Sequence, residues 1–189
     1  MMNISKNRCV GCGVCESECP KGSINVNLKM GIAVFDRENC IDCGLCLRNC
    51  PQGAIRDIKE DLIFAIGTDN KEIIKPDEHF GMSKYFQIWK YSKGKTFLKE
   101  TRENAKYKED ETITHGDPGK AKATTSVLTD VDVLVGKMMG PNIERLKKKF
   151  VPVIVREPNI KKSTQIIEEN INEIFEEKEK TDRRGLILQ

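Results

Sequence analysis

The residues best equipped for chemistry are the cysteines. All eight fall in two runs, Cys9, Cys12, Cys15 and Cys19, then Cys40, Cys43, Cys46 and Cys50, and each run reads C-x2-C-x2-C-x3-C-P. A cubane of iron and sulfide needs four thiolates at its corners, and two-residue gaps let successive backbone turns aim sulfurs into one pocket. Three closely spaced sulfurs grip one cubane, while the fourth cysteine, carried off by the proline after it, serves the other. The spacing therefore predicts one [4Fe-4S] cluster on Cys9, Cys12, Cys15 and Cys50, and a second on Cys40, Cys43, Cys46 and Cys19. Structural zinc is the plainer alternative, but zinc sites usually pair two C-x2-C units at a distance. Three evenly spaced cysteines followed by Cys-Pro, twice over, suit zinc badly. Disulfides would need an oxidising compartment.

A repeat with a period of about thirty residues must position these ligands. Aligning Cys9 with Cys40 also aligns Gly13 with Gly44, Pro20 with Pro51, Gly22 with Gly53 and Ile24 with Ile55. Two equivalent halves related by a pseudo-twofold axis follow. Gly13 and Gly44 are expected to keep Cβ atoms away from backbone bent around each cubane. Between the runs, residues 23–27 and 31–35 alternate apolar and polar side chains around Leu28-Lys29-Met30, which predicts a short β-hairpin. Residues 54–58 should pair as further short strands. Over residues 5–57 the chain resembles the two-cluster bacterial ferredoxins at every ligand position, which implies an α+β fold and low-potential one-electron transfer. It departs from them in charge: Lys6, Arg8, Lys21, Lys29, Arg37, Arg48 and Arg56 nearly balance the acids, whereas small ferredoxins are often markedly acidic.

Composition bounds the rest. A chain of 189 residues suits one domain or two small ones, and 38% hydrophobic with 32% charged residues fits two compact units with much exposed surface. The formal charge of +3 counts cysteine as neutral. Two clusters with their thiolates would bring the total to roughly −1, so the basic balance is no argument for nucleic-acid binding. The apolar run 62–66 is far too short to span a bilayer, and no apolar signal segment precedes Cys9. A reducing cytoplasm is the expected setting. Residues 58–61, without Gly, Ser or Pro, read as a tight junction. The expected domains are 1–59, 60–158, and a C-terminal amphipathic helix and tail over 159–189.

The second part reads as strands 62–68, 85–91 and 96–101, a helix near 120–129, a strand 131–135, a short Lys-rich helix 142–150 opening after Pro141, and a strand 151–155. That order implies a mixed five-stranded sheet, antiparallel first and parallel later, with helices on its faces. Residues 160–180 place Ile166, Ile167, Ile171, Ile174 and Phe175 at helical spacing, as one docked helix would. The only histidines, His79 and His115, fall in loops, and Met138 and Met139 follow the strand 131–135. If the strands 62–68 and 131–135 are neighbours, their C-terminal ends form the crevice where open α/β sheets bind ligands. Imidazole, thioethers and the backbone N–H groups opening helix 142–150 would there suit an anionic metal–sulfur species. Loop histidines are otherwise solvated, and methionines otherwise pack.

Several short motifs then converge: Gly67-Thr68-Asp69, His79-Phe80-Gly81, Tyr85-Phe86, His115-Gly116, Asp132 to Gly136, and Met139-Gly140-Pro141-Asn142. Over about 62–156 they resemble the dinitrogenase iron–molybdenum cofactor biosynthesis family, the NifX-like domain. The resemblance implies a ribonuclease-H-like three-layer α/β fold that carries metal–sulfur precursors without turnover, with His79 as the favoured contact and His115 secondary. Many members carry a His-rich stretch near the position of His115, which this chain lacks. Together the two halves imply an electron carrier whose second domain binds or delivers a metal–sulfur cofactor, with a redox or cofactor-assembly protein as partner and no role for nucleic acid or membrane. The competing expectation is an electron-transfer subunit whose second domain only docks a partner oxidoreductase; a cluster-dependent regulator is the third.

Overall fold

The computed structural model describes residues 1–75, 79–107 and 116–189. Contacts divide the chain into one unit of Met1–Glu60 with Asn170–Glu173 and another of Asp61–Glu169 with Ile174–Gln189.

The first unit carries the repeat in its strands as well as its cysteines. Its strands are β1 (Met2–Ile4), β2 (Ile24–Asn27), β3 (Ile32–Phe35) and β4 (Ile55–Asp57), with single-turn helices α1 (Val14–Ser17) and α2 (Leu45–Asn49). The antiparallel pair β2–β3 sets Ile24 opposite Phe35 and Val26 opposite Ala33. The pair β1–β4 sets Ile55 opposite Ile4 and Asp57 opposite Met2. The shift that carries Cys9 onto Cys40 superposes one register on the other, so the pseudo-twofold extends to individual residue pairs. The core is small: Met2, Cys15, Ile24, Ala33, Cys46 and Ile55, with two of the six side chains being cysteines.

The second unit is a mixed six-stranded sheet with helices. Its strands are β5 (Leu62–Thr68), β6 (Tyr85–Ser92), β7 (Lys95–Glu103), β8 (Val133–Gly136), β9 (Val151–Val155) and β10 (Leu186–Leu188), in the order β10-β9-β8-β5-β6-β7. β5, β6 and β7 are antiparallel, while β5–β8, β8–β9 and β9–β10 are parallel. The near-continuous apolar run of β5 is explained by its central place, with neighbours on both edges. Lys93 and Gly94 both have positive φ, 50° and 83°, as a two-residue hairpin loop requires. Ala65, Phe86, Ile88, Leu134 and Phe150 pack with Phe80, Leu128 and Val131 into one apolar cluster.

Three expectations need correction. The sheet has six strands, not five, because the tail adds β10 parallel to β9. Glu177 anchors this addition: its Oε1 accepts the N–H groups of Arg184 at 2.5 Å and Gly185 at 2.8 Å. Residues 160–180 form two helices, α5 (Ile160–Glu169) and α6 (Ile171–Glu179), broken at Asn170, a residue type whose side chain competes for local backbone bonds. The helix expected over 142–150 is one turn only, α4 (Ile143–Leu146), so it presents no appreciable dipole to an anion. The helix expected near 120–129 spans Pro118–Ser126 (α3), capped by Asp117, whose carboxylate accepts from the N–H groups of Gly119 and Lys120.

Candidate metal centres

Each cysteine run wraps a left-handed turn and enters a short helix. Gly13 and Gly44 sit just ahead of α1 and α2 with φ of 80° and 74°. A Cβ at Gly13 would meet no protein atom within 4 Å, so the backbone conformation, rather than crowding within the chain, calls for glycine there. The turns bury Cys15 and Cys46 and leave Cys12 and Cys43 exposed.

The sulfurs gather into two hollows that cross between the halves. One is lined by Cys9, Cys12, Cys15 and Cys50, with Ile4, Val14, Ala33 and Ile55 as apolar walls. The other is lined by Cys19, Cys40, Cys43 and Cys46, with Met2, Phe35 and Leu45. These are the groupings that the spacing assigns. All eight cysteines are free. Among the described residues no three ligating side chains converge on a point that would hold a single ion. Four thiols around each apolar hollow are the donor set that the four corners of a cubane need.

Electrostatics and hydrogen bonding report the same neighbourhoods. Burial pushes the Cys15 thiol up, and Cys9 and Cys50 beside it push the same way. Burial also raises Cys46, helped by Cys40, Cys43 and Cys19. Both thiols would thus lose their protons in exchange for iron. Amide N–H groups already point at sulfur: Ala33 to Cys9 Sγ, Ala54 to Cys50 Sγ and Ser23 to Cys19 Sγ, each at 3.3 Å. Cys19 has a further partner in Ser23 Oγ at 3.2 Å, which holds its thiol below the ordinary range. Ser23 escaped the sequence reading, although it stands where the other half has Ala54, and that mismatch in the repeat was a legible signal.

In the second unit, β5 and β8 are parallel neighbours, so the loops after them do meet. The Phe80 N–H donates to the Met138 carbonyl at 3.0 Å, and the His79 ring lies against Gly140. A Cβ at Gly140 would come within 3.0 Å of His79 Cγ, so the ring's position depends on glycine there. His79 is half-buried, and its Nδ1 is buried with no hydrogen-bond partner among the described residues. Met138 is 42% exposed, while Met139 packs against the apolar cluster. His115 lies outside the described residues. Asn142, expected to open an anion-binding helix, instead donates through Nδ2 to the Asp117 carbonyl at 3.0 Å.

The family model described as dinitrogenase iron-molybdenum cofactor matches residues 61–176, and that of the 4Fe-4S dicluster domain matches residues 8–55. Comparison with curated proteins gives no match. Among solved structures, a chain titled adenosine 5′-phosphosulfate reductase in complex with substrate aligns at 14% identity and a TM-score of 0.29, covering 77% of this chain and 92% of that one.

Proposed function

Because the chain belongs to the dinitrogenase iron-molybdenum cofactor family and carries a 4Fe-4S dicluster domain ahead of the family domain, we propose that it is an electron carrier whose second unit binds or delivers a metal–sulfur cofactor. The observation that carries this reading is the pair of hollows, each lined by four cysteines drawn from both halves of the repeat. A [4Fe-4S] cluster, when bound, stores and passes one electron. The chain's own part is to supply Cys9, Cys12, Cys15 and Cys50 to one cluster and Cys40, Cys43, Cys46 and Cys19 to the other. Ala33, Ala54 and Ser23 direct N–H groups at the sulfurs, and apolar walls limit water.

In the second unit His79 is the contact for the carried cofactor. Among the described residues its Nδ1 has no partner to give up, and Gly140 lets the ring sit between the loops that follow β5 and β8. Met138 is exposed enough to add a thioether; Met139 serves the core. The strand order, antiparallel then parallel, supports the ribonuclease-H-like reading of this unit. A carrier without turnover, working with a redox or cofactor-assembly partner in a reducing cytoplasm, completes the proposal. Among the described residues no helix is long and apolar enough to cross a membrane.

Iron and sulfide analysis of the anaerobically purified protein, with EPR after reduction, tests the first half. About eight irons per chain are expected, and fewer than about six would sink the two-cluster assignment. His79→Ala should weaken uptake of an added iron–sulfur cluster by the second unit while leaving the EPR of the first unit intact. Equal uptake by both proteins would favour the second reading, in which this unit only docks a partner oxidoreductase. The withdrawal of Met139 into the core is the observation on that side.

A further inference from the structure

The two cluster hollows are related by the repeat and their sulfurs are exposed alike, yet those sulfurs do not have the same hydrogen-bond partners. The shift that takes Cys9 to Cys40 also takes Met2 to Ala33 and Gly11 to Asp42. In the first hollow the Ala33 N–H donates to Cys9 Sγ at 3.3 Å. In the second the equivalent N–H, that of Met2, is directed to Asp42 Oδ1 at 3.4 Å, and that same carboxylate oxygen lies 3.8 Å from Cys40 Sγ. A liganding sulfur is a thiolate. In the assembled site the carboxylate therefore faces it as a second anion, and also takes the amide that the other half gives to sulfur.

Packing makes this difference one-sided. A Cβ at Gly11 would come within 2.5 Å of the Gly31 carbonyl oxygen, so the first half has no room for a side chain. Asp42 adopts the same left-handed backbone, φ 50° against 63°, but its side chain is exposed and accommodated. Asp and Asn tolerate that conformation better than most residues.

Other groups at the second hollow act in the opposite sense and are weaker. Ser23 gives Cys19 a hydroxyl in addition to an N–H, where Ala54 gives Cys50 the N–H alone. Arg37 lines the same recess as Cys40 and Asp42, but its guanidinium is turned to Met1 Sδ and Asn3 Oδ1. Arg48 reaches the Cys43 carbonyl at 3.5 Å. On the first side Glu16 is taken by the Val26 N–H at 3.1 Å, and Lys6 and Arg8 precede Cys9. A full charge next to a ligand sulfur outweighs one neutral donor, and cluster potential follows local charge and the hydrogen bonds to sulfur.

Resting on the two-cluster reading above, we propose that Asp42 makes the cluster of Cys40, Cys43, Cys46 and Cys19 the lower-potential one of the pair. A single electron from a low-potential donor then rests on the cluster of Cys9, Cys12, Cys15 and Cys50. With dithionite as the donor, dithionite is oxidised to sulfite and that cluster gains the electron. The second cluster is reduced only afterwards.

An anaerobic redox titration of the full chain followed by EPR tests this. The native protein should show two resolved one-electron waves. Asp42→Gly, which copies the other half, should raise the lower wave toward the upper and leave the upper in place. Asp42→Asn keeps the side-chain shape and should act in the same direction, which covers the case of a poorly folding glycine variant. Ser23→Ala removes the hydroxyl donor from Cys19 and should push the same lower wave further down. A single unresolved wave in the native protein would overturn the proposal. So would an Asp42 variant that moves the upper wave, or Ser23 and Asp42 variants that act on different waves. Iron below about six per chain would instead overturn the cluster reading on which the proposal rests.

Discussion

Cys19 and Cys50 each stand at the end of one run and line the hollow of the other. A ligand that crosses between halves has a distinctive mutational signature. Cys50→Ala should damage the cluster held by Cys9, Cys12 and Cys15, and Cys19→Ala the one held by Cys40, Cys43 and Cys46. Iron should fall from about eight toward about four per chain in each case, with a different EPR signal lost. Loss of the sequence-adjacent cluster instead would mean that each run keeps its own fourth sulfur. Glu177 is a second residue whose surroundings decide its role. It is 2% exposed, and although burial pushes its carboxyl up, Lys180 and the N–H groups of Gly185 and Arg184 more than offset this and hold it below the ordinary range. A group depressed in this way stabilises the fold above the unfolded carboxylate pKa, and the contribution is lost as pH falls through the folded value. Glu177→Ala should cost about 1–3 kcal/mol in urea unfolding at neutral pH, because it leaves two part-buried amides without their charged acceptor.

At the scale of elements, the edge strand β7 is strapped to the turn that leads into β8. Arg102 donates to Asp130 through Nη1 at 2.6 Å and Nη2 at 2.9 Å, and to the Val127 carbonyl at 2.8 Å. The guanidinium beside Asp130 holds that carboxyl down to about 2, against the opposing effect of burial. The pair should therefore stabilise the sheet above the unfolded carboxylate pKa near 4, and lose that contribution as pH falls toward about 2. Asp130 is 42% exposed, so solvent screening limits the effect. Asp130→Asn should cost about 1 kcal/mol or less at pH 7, and its urea midpoint should converge on the native one near pH 2. A constant difference across that range would remove the ion pair from the account. The strand β10 depends on tertiary support in a similar way. Three residues paired only with β9 gain little by themselves, so Glu177→Ala should speed amide exchange at residues 186–188 before it does so in β8.

At the scale of the whole molecule, the two units differ in what holds them. Within residues 1–60 the first buries seven apolar side chains, two of them cysteines and two alanines, so iron and sulfide are expected to supply much of its stability. The second has a six-stranded sheet with fully buried Phe64, Ile66, Leu134 and Val153. Removing iron with a chelator should therefore abolish slow amide exchange in residues 1–60 while β5 and β9 keep theirs. Loss of protection throughout the chain would show that the second unit also depends on the clusters. The sequence by itself determined the pseudo-twofold and the change from antiparallel to parallel pairing, and it carries the spacing on which the proposed cysteine grouping rests. It could do so because ligand spacing, alternation and connection order are local or periodic properties. Tertiary structure alone decided the rest. The tail joined the sheet because a buried carboxylate, distant from any strand pattern, caps its turn. Met139 went to the core while Met138 stayed exposed, a difference of facing that adjacent identical residues cannot signal. Asp42 came to face Cys40 because the amide of Met2 and an open left-handed turn placed it there, while the Gly31 carbonyl kept position 11 bare. The cysteine runs are the same on paper, and only their packing makes the two sites unequal.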